Sequence, residues 1–377
     1  MELLLWVDDT DAERREMNSL VAKTNAERKR FRAVVVLNLD CNLACPYCYE
    51  DTFRGKHFMS YETADLFVEM VIRDHITQGR DIVLDLYGGE PLLSVPTIKR
   101  IAEPLDAAAK DAGVTLSCFL FTNGTLLNRP LVEELLPLGL TGALITLDGP
   151  REIHDSQRPF VSGRGSFDLI VGNVRSVRDL IEIQINGNYT EGNYRRFPEM
   201  LDHLIASGIE PARLGLVQFS PISEKSSPSR HHDGMAHCQP VSDKSIMEAG
   251  PYLFRETALR GFRVPVPTMG ACMVEFDHDL VVNYDGSLYK CPAFMGWPEL
   301  SVGTLESGVS DYSASHNLLY WQNDECLECP YLPICFGGCR LNPLLKNGAI
   351  NEVDCRREFY DATLEQIVLM GQVCSPS

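Results

Sequence analysis

Three closely spaced cysteines behind a run of apolar, mostly β-branched residues constrain this chain more than any other feature. The run occupies residues 34–37, and Cys41, Cys45 and Cys48 follow it with three and then two residues between them. Three thiolates can bind three irons of a [4Fe–4S] cube and leave the fourth iron open to another ligand. Structural zinc usually takes paired C-x2-C knuckles closed by a fourth Cys or His, and no such partner follows nearby. The spacing therefore predicts an iron–sulfur site with an open iron, with zinc as the alternative.

Charge and cysteine content narrow the class of protein. The chain of 377 residues has a formal net charge of −18 and a pI of about 4.9, which argues against a nucleic-acid or anionic-membrane surface. The sequence contains no apolar run long enough to span a membrane and no basic start typical of a signal peptide. Thirteen cysteines without an export signal favour metal binding over disulfides. We therefore expect a cytoplasmic protein that binds neither nucleic acid nor membrane.

From residue 32 onward, strand-like and helix-like stretches alternate. Strands are predicted at 33–37, 82–86, 116–121, 143–147, 181–185 and 214–219, and helices at 60–77, 95–112, 128–136, 167–180, 194–206 and 245–260. Such alternation predicts a parallel sheet, open or closed into a barrel, with ligand sites at the carboxyl ends of the strands.

Polar or Gly-rich loops follow the first four predicted strands. They are the cysteine loop at 41–48, Gly-Gly-Glu-Pro at 88–91, Thr-Asn-Gly at 122–124 and Asp-Gly-Pro at 148–150. Each alone is an ordinary turn. Because they share one edge of the predicted sheet, together they indicate a cofactor site.

Two stretches depart from this pattern. Residues 10–31 are charged and helix-permissive, so we expect a solvated lead-in, and residues 222–248 are rich in Ser, Pro, His and Lys, as linkers or substrate-facing loops are. A metal could bind the second stretch, although histidines in polar loops are more often solvated. Its candidate ligands are His231, His232, His237 and Cys238.

A second cysteine field extends over residues 272–355. Its members are Cys272, Cys291, Cys326, Cys329, Cys335, Cys339 and Cys355, and a predicted hairpin at 281–289 precedes Cys291. The segment has few regular apolar faces, so metal ligation would have to stabilise it, with zinc as a serious alternative. For the isolated Cys118 and Cys374 we expect packing in a strand and exposure in the tail, respectively.

The cysteine loop followed by Gly-Gly-Glu-Pro resembles the radical SAM superfamily, and the second cysteine field resembles its SPASM domain at all seven cysteines. The resemblance implies an α/β fold in which a partial (β/α)6 TIM barrel at 32–222 follows an N-terminal extension at 1–31. A linker at 223–262 and a cysteine-rich SPASM iron–sulfur domain with a C-terminal helix at 263–377 would complete the chain. It also implies S-adenosylmethionine (SAM) and three [4Fe–4S] clusters, one that binds SAM and two auxiliary clusters.

The same resemblance assigns individual residues. Cys41, Cys45 and Cys48 would ligate the SAM cluster, Cys326, Cys329, Cys335 and Cys355 the outer auxiliary cluster, and Cys272, Cys291 and Cys339 the inner one. Among the SAM contacts, Tyr47 would lie at the adenine, and Gly88, Gly89 and Glu90 at the amino group. Thr146 and Asp148 would lie on the ribose side. Asn123 would contact the ribose, Arg158 the carboxylate and Leu216 the adenine. A carboxylate and exposed backbone carbonyls at a strand end suit an ammonium group.

One departure from the family pattern concerns the inner cluster. Fully ligated relatives have another Cys soon after the first SPASM cysteine, whereas this chain has Phe-Asp-His-Asp at 276–279. We therefore expect an open iron there, or a ligand from an oxygen, a nitrogen or Cys238.

The resemblance implies an enzyme that modifies a ribosomally synthesised peptide through C–H activation, forming a thioether or another cross-link. Its partners would be a precursor peptide, Cys-containing if the inner iron is open, and an electron donor such as flavodoxin or ferredoxin. One alternative is sulfatase maturation to formylglycine. Those enzymes have an Asp base directly after the Cys that follows the hairpin; here Pro292 follows, so Asp277, Asp279 or Asp285 would have to replace it. The other alternative is a non-catalytic zinc or electron-transfer protein.

Overall fold

A ten-stranded sheet organises the computed structural model, which describes residues 10–48, 54–222 and 244–373. The strands are β1 Arg30–Val36, β2 Asp81–Tyr87, β3 Leu116–Thr122, β4 Leu140–Thr146, β5 Glu182–Tyr189, β6 Val217–Pro221, β7 Asp279–Val282, β8 Ser287–Tyr289, β9 Gly303–Thr304 and β10 Gly308–Val309. Their order is β10-β9-β8-β7-β1-β2-β3-β4-β5-β6. Neighbours from β1 to β6 are parallel, β7 adds in parallel to the free side of β1, and β8 to β10 continue antiparallel.

Helices follow the strands as the alternation predicted. They are α1 Thr10–Glu27, α2 Tyr61–Asp74, α3 Val95–Ala112, α4 Arg129–Leu135, α5 Arg151–Gln157, α6 Phe167–Val177, α7 Phe197–Ala206, α8 Lys244–Leu259, α9 Asp324–Leu327, α10 Leu332–Cys335, α11 Leu341–Asn347 and α12 Arg357–Val373. The prediction of an α/β fold with six strand-then-helix units is confirmed. It missed the short helix α5, which lies between β4 and α6.

Local sequence explains where several helices begin and end. The Ser60 hydroxyl accepts a hydrogen bond from the Thr63 amide at 3.1 Å and caps α2, and the Asn128 side chain caps α4 through the Leu131 amide at 3.1 Å. Gly113, with φ 70°, ends α3 in the left-handed conformation. These are the residue types that helix ends favour.

The strand β1 is buried on both faces. Ala33 and Val35 pack into the core between the sheet and its helices, while Val34 and Val36 pack against Phe294 of the second cysteine field. A strand covered on both sides has a continuous apolar sequence rather than an alternating one. The apolar run before the first cysteine motif therefore marks the place where the barrel meets the second cysteine field.

The expectation of a solvated lead-in at 10–31 is wrong for α1. Val21 of this helix is only 3% exposed and packs in one apolar cluster with Tyr320 and Trp321 of the second cysteine field. The Asn25 side chain donates to the carbonyl of Glu275 at 2.9 Å. Charged neighbours in the sequence conceal the short apolar stripe that makes this contact.

Some predicted features lie outside the described residues: most of the linker, with its three histidines and Cys238, and Cys374 in the tail. The division of the chain into four parts stays a prediction. Among the helices that the structure describes, none is long and apolar enough to cross a membrane.

Candidate active site

Backbone hydrogen bonds from two neighbouring loops fix the cysteine loop at the carboxyl end of β1. The amides of Gly89 and Glu90 donate to the carbonyls of Asn38 and Asp40 at 3.1 and 2.9 Å. On the other side, the Ala44 amide donates to the carbonyl of Pro159 at 2.8 Å. The loops after β2 and α5 therefore hold the segment that carries Cys41 and Cys45.

The two glycines of the Gly-Gly-Glu-Pro loop are required by this close approach. A Cβ on Gly88 would lie 2.5 Å from the Asn38 carbonyl oxygen, and one on Gly89 would lie 2.3 Å from the Asp40 carbonyl oxygen. Gly88 also has a φ of 148°, a conformation that side chains rarely adopt. Any larger residue would push the cysteine loop away from β2.

Glu90 is fully buried, and protein donors already bind its carboxylate. It accepts hydrogen bonds from the amides of Leu92 and Asn123 at 3.0 and 2.8 Å and from the Thr122 hydroxyl at 2.8 Å. Burial raises the pKa of Glu90, and these hydrogen bonds oppose the rise. Glu90 thus ties the loops after β2 and β3 together.

Asn123 connects this junction to the cysteine loop. Its side-chain amide donates to Asn42 Oδ1 at 2.8 Å and lies 3.7 Å from Cys41 Sγ. The structure therefore brings the predicted site residues Cys41, Glu90 and Asn123 into one contiguous group.

The cysteines of this loop are half-buried. Burial raises the pKa of Cys41 to about 11, an effect that the Leu43 amide opposes. Burial likewise raises the pKa of Cys45, which Arg158 opposes. Without a metal these groups stay protonated, whereas ligation by iron would deprotonate them.

Within the described ranges, no three His, Cys, Asp or Glu side chains converge on one metal ion. A [4Fe–4S] cube binds each cysteine through a different iron, so its thiolates need not meet at one point.

A second buried group lies at the ends of β4 and β5. The Tyr47 hydroxyl donates to Asp148 Oδ2 and accepts from Arg158 Nη1 at 2.6 Å and from Asn188 Nδ2 at 3.3 Å. The Asn188 amide also donates to Asp148 Oδ1 at 2.7 Å. The aromatic ring of the cysteine loop is thereby tied to two predicted SAM contacts.

His154 holds the backbone of Asp148 in place through a hydrogen bond. The Asp148 amide donates to His154 Nδ1 at 3.1 Å, and His154 Nε2 lies 2.9 Å from the Ser166 hydroxyl. Burial lowers the pKa of His154 to about 3, so the ring is neutral and can accept the amide hydrogen. Sequence reasoning missed His154 and Asn188, although Asn188 continues the polar alternation of Gln184 and Asn186 along β5.

Of the two remaining predicted SAM contacts, Thr146 ends β4 and Leu216 directly precedes β6. Thr146 pairs with Asn186 at the end of β4, and the Leu216 carbonyl accepts from the Ile185 amide at 2.7 Å. Among the described residues, no hydrogen bond joins either side chain to the Tyr47 group.

The three candidate bases lie at the two ends of β7. Asp279 begins β7 opposite Arg32, toward the amino end of β1, and its carboxylate pairs with Arg28 at 2.7 Å. Asp277 is exposed just before this strand. Asp285 is exposed in the hairpin turn after the carboxyl end of β7, where its carboxylate accepts from the Ser287 amide at 3.0 Å. Asp277 and Asp279 therefore lie at the end of the strand away from the cysteine loop, and a role as base for any of the three stays a prediction.

The second cysteine field separates into two groups of thiols. The charges of Cys272 and Cys339 both raise the pKa of Cys291, after the larger effect of burial. In the other group, burial, Cys329 and Cys355 raise the pKa of Cys326, and burial, with a smaller effect from Cys326, raises that of Cys335. The cysteines thus lie near one another in the same two sets that the resemblance assigned to the inner and outer clusters.

Residues 35–209 match the family model described as the Radical SAM superfamily. These residues therefore form a radical SAM domain, a domain of an enzyme superfamily. The family implies SAM and a [4Fe–4S] cluster, which favours iron over zinc at the cysteine loop.

Relatives of known identity agree with this assignment. The serine-type anaerobic sulfatase-maturating enzyme of Klebsiella pneumoniae is 27% identical over 344 residues, which cover 84% of this chain and 82% of that protein. The solved structure of native anSMEcpe with bound AdoMet and Kp18Cys peptide has a TM-score of 0.69 at 18% identity, and the match covers 91% of this chain and 99% of that one. Streptococcus suis SuiB bound to precursor peptide SuiA has a TM-score of 0.59 at 16% identity, covering 90% and 78%. The two structures confirm the fold.

Proposed function

We propose that this enzyme modifies a ribosomally synthesised peptide by abstracting hydrogen from an unactivated C–H bond, and that the product is a thioether or another cross-link. The structural neighbours anSMEcpe and SuiB were each solved with a peptide, which supports a peptide substrate here. The observation in this chain that carries the proposal is the inner face of its sheet.

That inner face combines amides with aromatic rings. On β5, Ile183 and Ile185 pack into the helix-side core, so Gln184 and Asn186 lie on the opposite face, half-buried. The same alternation places Phe119 and Phe121 of β3 on that face, with ring centroids 5.8 Å apart.

Side-chain amides can both donate to and accept from a peptide backbone, and aromatic rings bury apolar side chains. The surface therefore suits an extended peptide.

Cys41, Cys45 and Cys48 would hold the SAM cluster, and the loops around them would hold SAM. Bound there and reduced, SAM supplies a 5′-deoxyadenosyl radical for hydrogen abstraction. Because the carboxylate of Glu90 is already bonded, its part is to fix Asn123 beside the cysteine loop and leave strand-end carbonyls for the ammonium group. Tyr47, Asp148 and Arg158 would orient the nucleoside and the carboxylate, with Gly88, Gly89, Thr146 and Leu216 completing the wall.

Two auxiliary clusters are proposed for the second cysteine field. The outer one would take Cys326, Cys329, Cys335 and Cys355, and the inner one Cys272, Cys291 and Cys339. The inner set has no fourth cysteine among the described residues, which leaves an iron for a substrate thiolate. Electrons would come from a small donor protein such as flavodoxin or ferredoxin.

Formylglycine formation is the second candidate, and the match to the Klebsiella pneumoniae sulfatase-maturating enzyme favours it. Against it stands Pro292, which occupies the position after Cys291 where those enzymes are expected to have their base. Asp277 and Asp279 lie at the amino end of β7, away from the cysteine loop, which leaves Asp285 as the better placed of the three proposed bases.

Product analysis separates the two candidates. In the first experiment, the reconstituted enzyme is incubated anaerobically with SAM, dithionite and either a Ser- or a Cys-containing sulfatase peptide. In the second, the enzyme is co-expressed with a small Cys-rich open reading frame from the neighbouring genes, and the peptide is analysed by mass spectrometry. We expect 5′-deoxyadenosine in every case, and a loss of two hydrogens with retention of sulfur in the Cys-rich peptide. An aldehyde on either sulfatase peptide, with no change in the Cys-rich one, would replace the first candidate by the second.

A further inference from the structure

A buried ion pair lies inside the second cysteine field. Arg340 follows Cys339, Glu275 lies three residues after Cys272, and both side chains are 1% exposed where Arg340 Nη2 binds Glu275 Oε1. Charged side chains are seldom fully buried, and the loss of their hydration is costly. A pair in this position, next to two predicted cluster ligands, therefore calls for a functional reason.

The protein fixes the guanidinium of Arg340 on several sides. It stacks 4.0 Å from the ring centroid of Tyr320, and its Nη1 donates to the carbonyls of His316 and Asn317, the latter at 3.1 Å. Glu275 is fixed in turn by the Leu319 amide at 3.1 Å. Neither charge can move away from the cysteines without breaking several contacts.

One donor of Arg340 remains unused. Among the described residues, the buried Nε of Arg340 has no hydrogen-bond partner, although buried N–H groups are nearly always paired. A cysteine or sulfide sulfur of a bound cluster is an acceptor of the right kind. The unpaired donor is thus consistent with a group that binds beside Cys339.

Both charges lie beside predicted ligands of the inner cluster. The Glu275 amide donates to the Cys272 carbonyl at 2.9 Å, and Arg340 directly follows Cys339 in the chain. A cation near a thiolate cluster stabilises the reduced form, because reduction adds one negative charge in surroundings of low dielectric constant.

We propose that Arg340 sets the reduction potential of the inner auxiliary cluster, held by Cys272, Cys291 and Cys339, and that Glu275 partly offsets its charge. The inference rests on the inner cluster of the proposed function. The step concerned is a one-electron reduction by an external donor, in which no bond forms or breaks and no proton moves. Tyr320 acts through Arg340 as a positioning residue.

The test measures midpoint potentials in the full chain. Cys41, Cys45 and Cys48 are replaced by Ala to remove the signal of the SAM cluster, iron and sulfide are restored, and dithionite titrations are followed by electron paramagnetic resonance. We expect Arg340→Met to lower the potential of one auxiliary cluster by at least a tenfold change in the reduction equilibrium, about 59 mV for one electron. Glu275→Gln should raise it, and Arg340→Lys, which keeps the charge, should restore most of the loss.

Arg260→Met is the control, because Arg260 also forms salt bridges with carboxylates but lies on the barrel side, bonded to Asp202 and Glu256. The midpoint potentials of the auxiliary clusters in this variant should equal those of the protein with Arg260 intact. If Arg340→Met fails to retain iron, the upward shift in Glu275→Gln decides the matter alone.

Unchanged potentials, or shifts of the same sign in both variants at full iron content, would overturn the inference and leave the proposed function intact. If the protein that lacks only Cys41, Cys45 and Cys48 binds no iron, the chain has no inner cluster, and both this inference and that part of the proposed function are wrong.

Discussion

The cysteine loop after β1 is held by the ends of regular strands, whereas the second cysteine field is held by turns, short helices and a buried ion pair. Among the described residues, the three non-glycine residues with positive φ all lie in the second field: Asn317, Leu319 and Phe336, at 44°, 60° and 47°. Each such residue costs roughly 1–2 kcal/mol. The barrel thus positions its cysteines through regular parallel strands, while the second field depends on tight turns, a buried ion pair and two small apolar clusters.

Cys45→Ala should have the largest effect, because it removes one proposed ligand of the SAM cluster. We expect 5′-deoxyadenosine release to be abolished while iron in the second field is retained, as measured by chromatography and iron analysis. Cys118→Ala is the control, since Cys118 is buried in β3 and its pKa is raised to about 12 by burial. Persistent cleavage in Cys45→Ala would contradict the assignment of the loop.

Removal of iron should have the second largest effect, and it should destabilise the second cysteine field but not the barrel. In apo protein prepared with a chelator, hydrogen exchange should rise throughout residues 266–356, because metal binding supplies folding energy to segments with little core. Exchange in β1 to β6 should stay slow, since these strands are covered by helices. Equal protection of both regions in apo and reconstituted protein would show that the second field does not depend on iron for its stability.

Gly89→Ala tests how tightly the rim is built. The new Cβ would meet the Asp40 carbonyl oxygen at 2.3 Å, so the cysteine loop must shift, and we expect SAM cleavage to fall by roughly 100-fold, as displacements of about 1 Å do. Gly172→Ala in α6, where nothing lies within 4 Å of the added atom, should leave activity unchanged. Similar rates for both variants would show that the rim tolerates movement.

Val21→Ala should have the smallest effect and act on the second field alone. Deleting two buried methyl groups from the contact with Tyr320 and Trp321 should cost about 1–2 kcal/mol, seen as a lower denaturant midpoint by tryptophan fluorescence. Glu16→Ala, on the exposed side of α1, should change little. If both variants unfold like the parent, α1 does not stabilise this region.

Much of the barrel was readable in the sequence. The bounds of α3 were predicted as the structure has them, since Pro96 near its start and Gly113 at its end mark both termini, and the strands β1 to β6 followed from apolar runs between turn residues. The four loops at the carboxyl ends were also expected, because parallel strands must bring them to one edge. Local signals suffice where each element is specified by its own residues.

Contacts between distant residues were not readable. Asn188 meets Tyr47 across 141 positions of the chain, α1 docks on the second field through an apolar stripe among charges, and Asp277 and Asp279 fall at the amino end of β7, away from the cysteine loop. No local pattern encodes these pairings, because they depend on the order of strands in the sheet.

The cysteine spacings, the Gly-Gly-Glu-Pro loop and the alternation of strands and helices can all be read from short stretches of sequence. How these parts come together is set by the fold, from the buried carboxylate of Glu90 to the Tyr47 group and the charge of Arg340, which follows Cys339. Ligand type and spacing are properties of a short segment. Burial, charge and hydrogen bonding at a site depend on which distant segments pack around it.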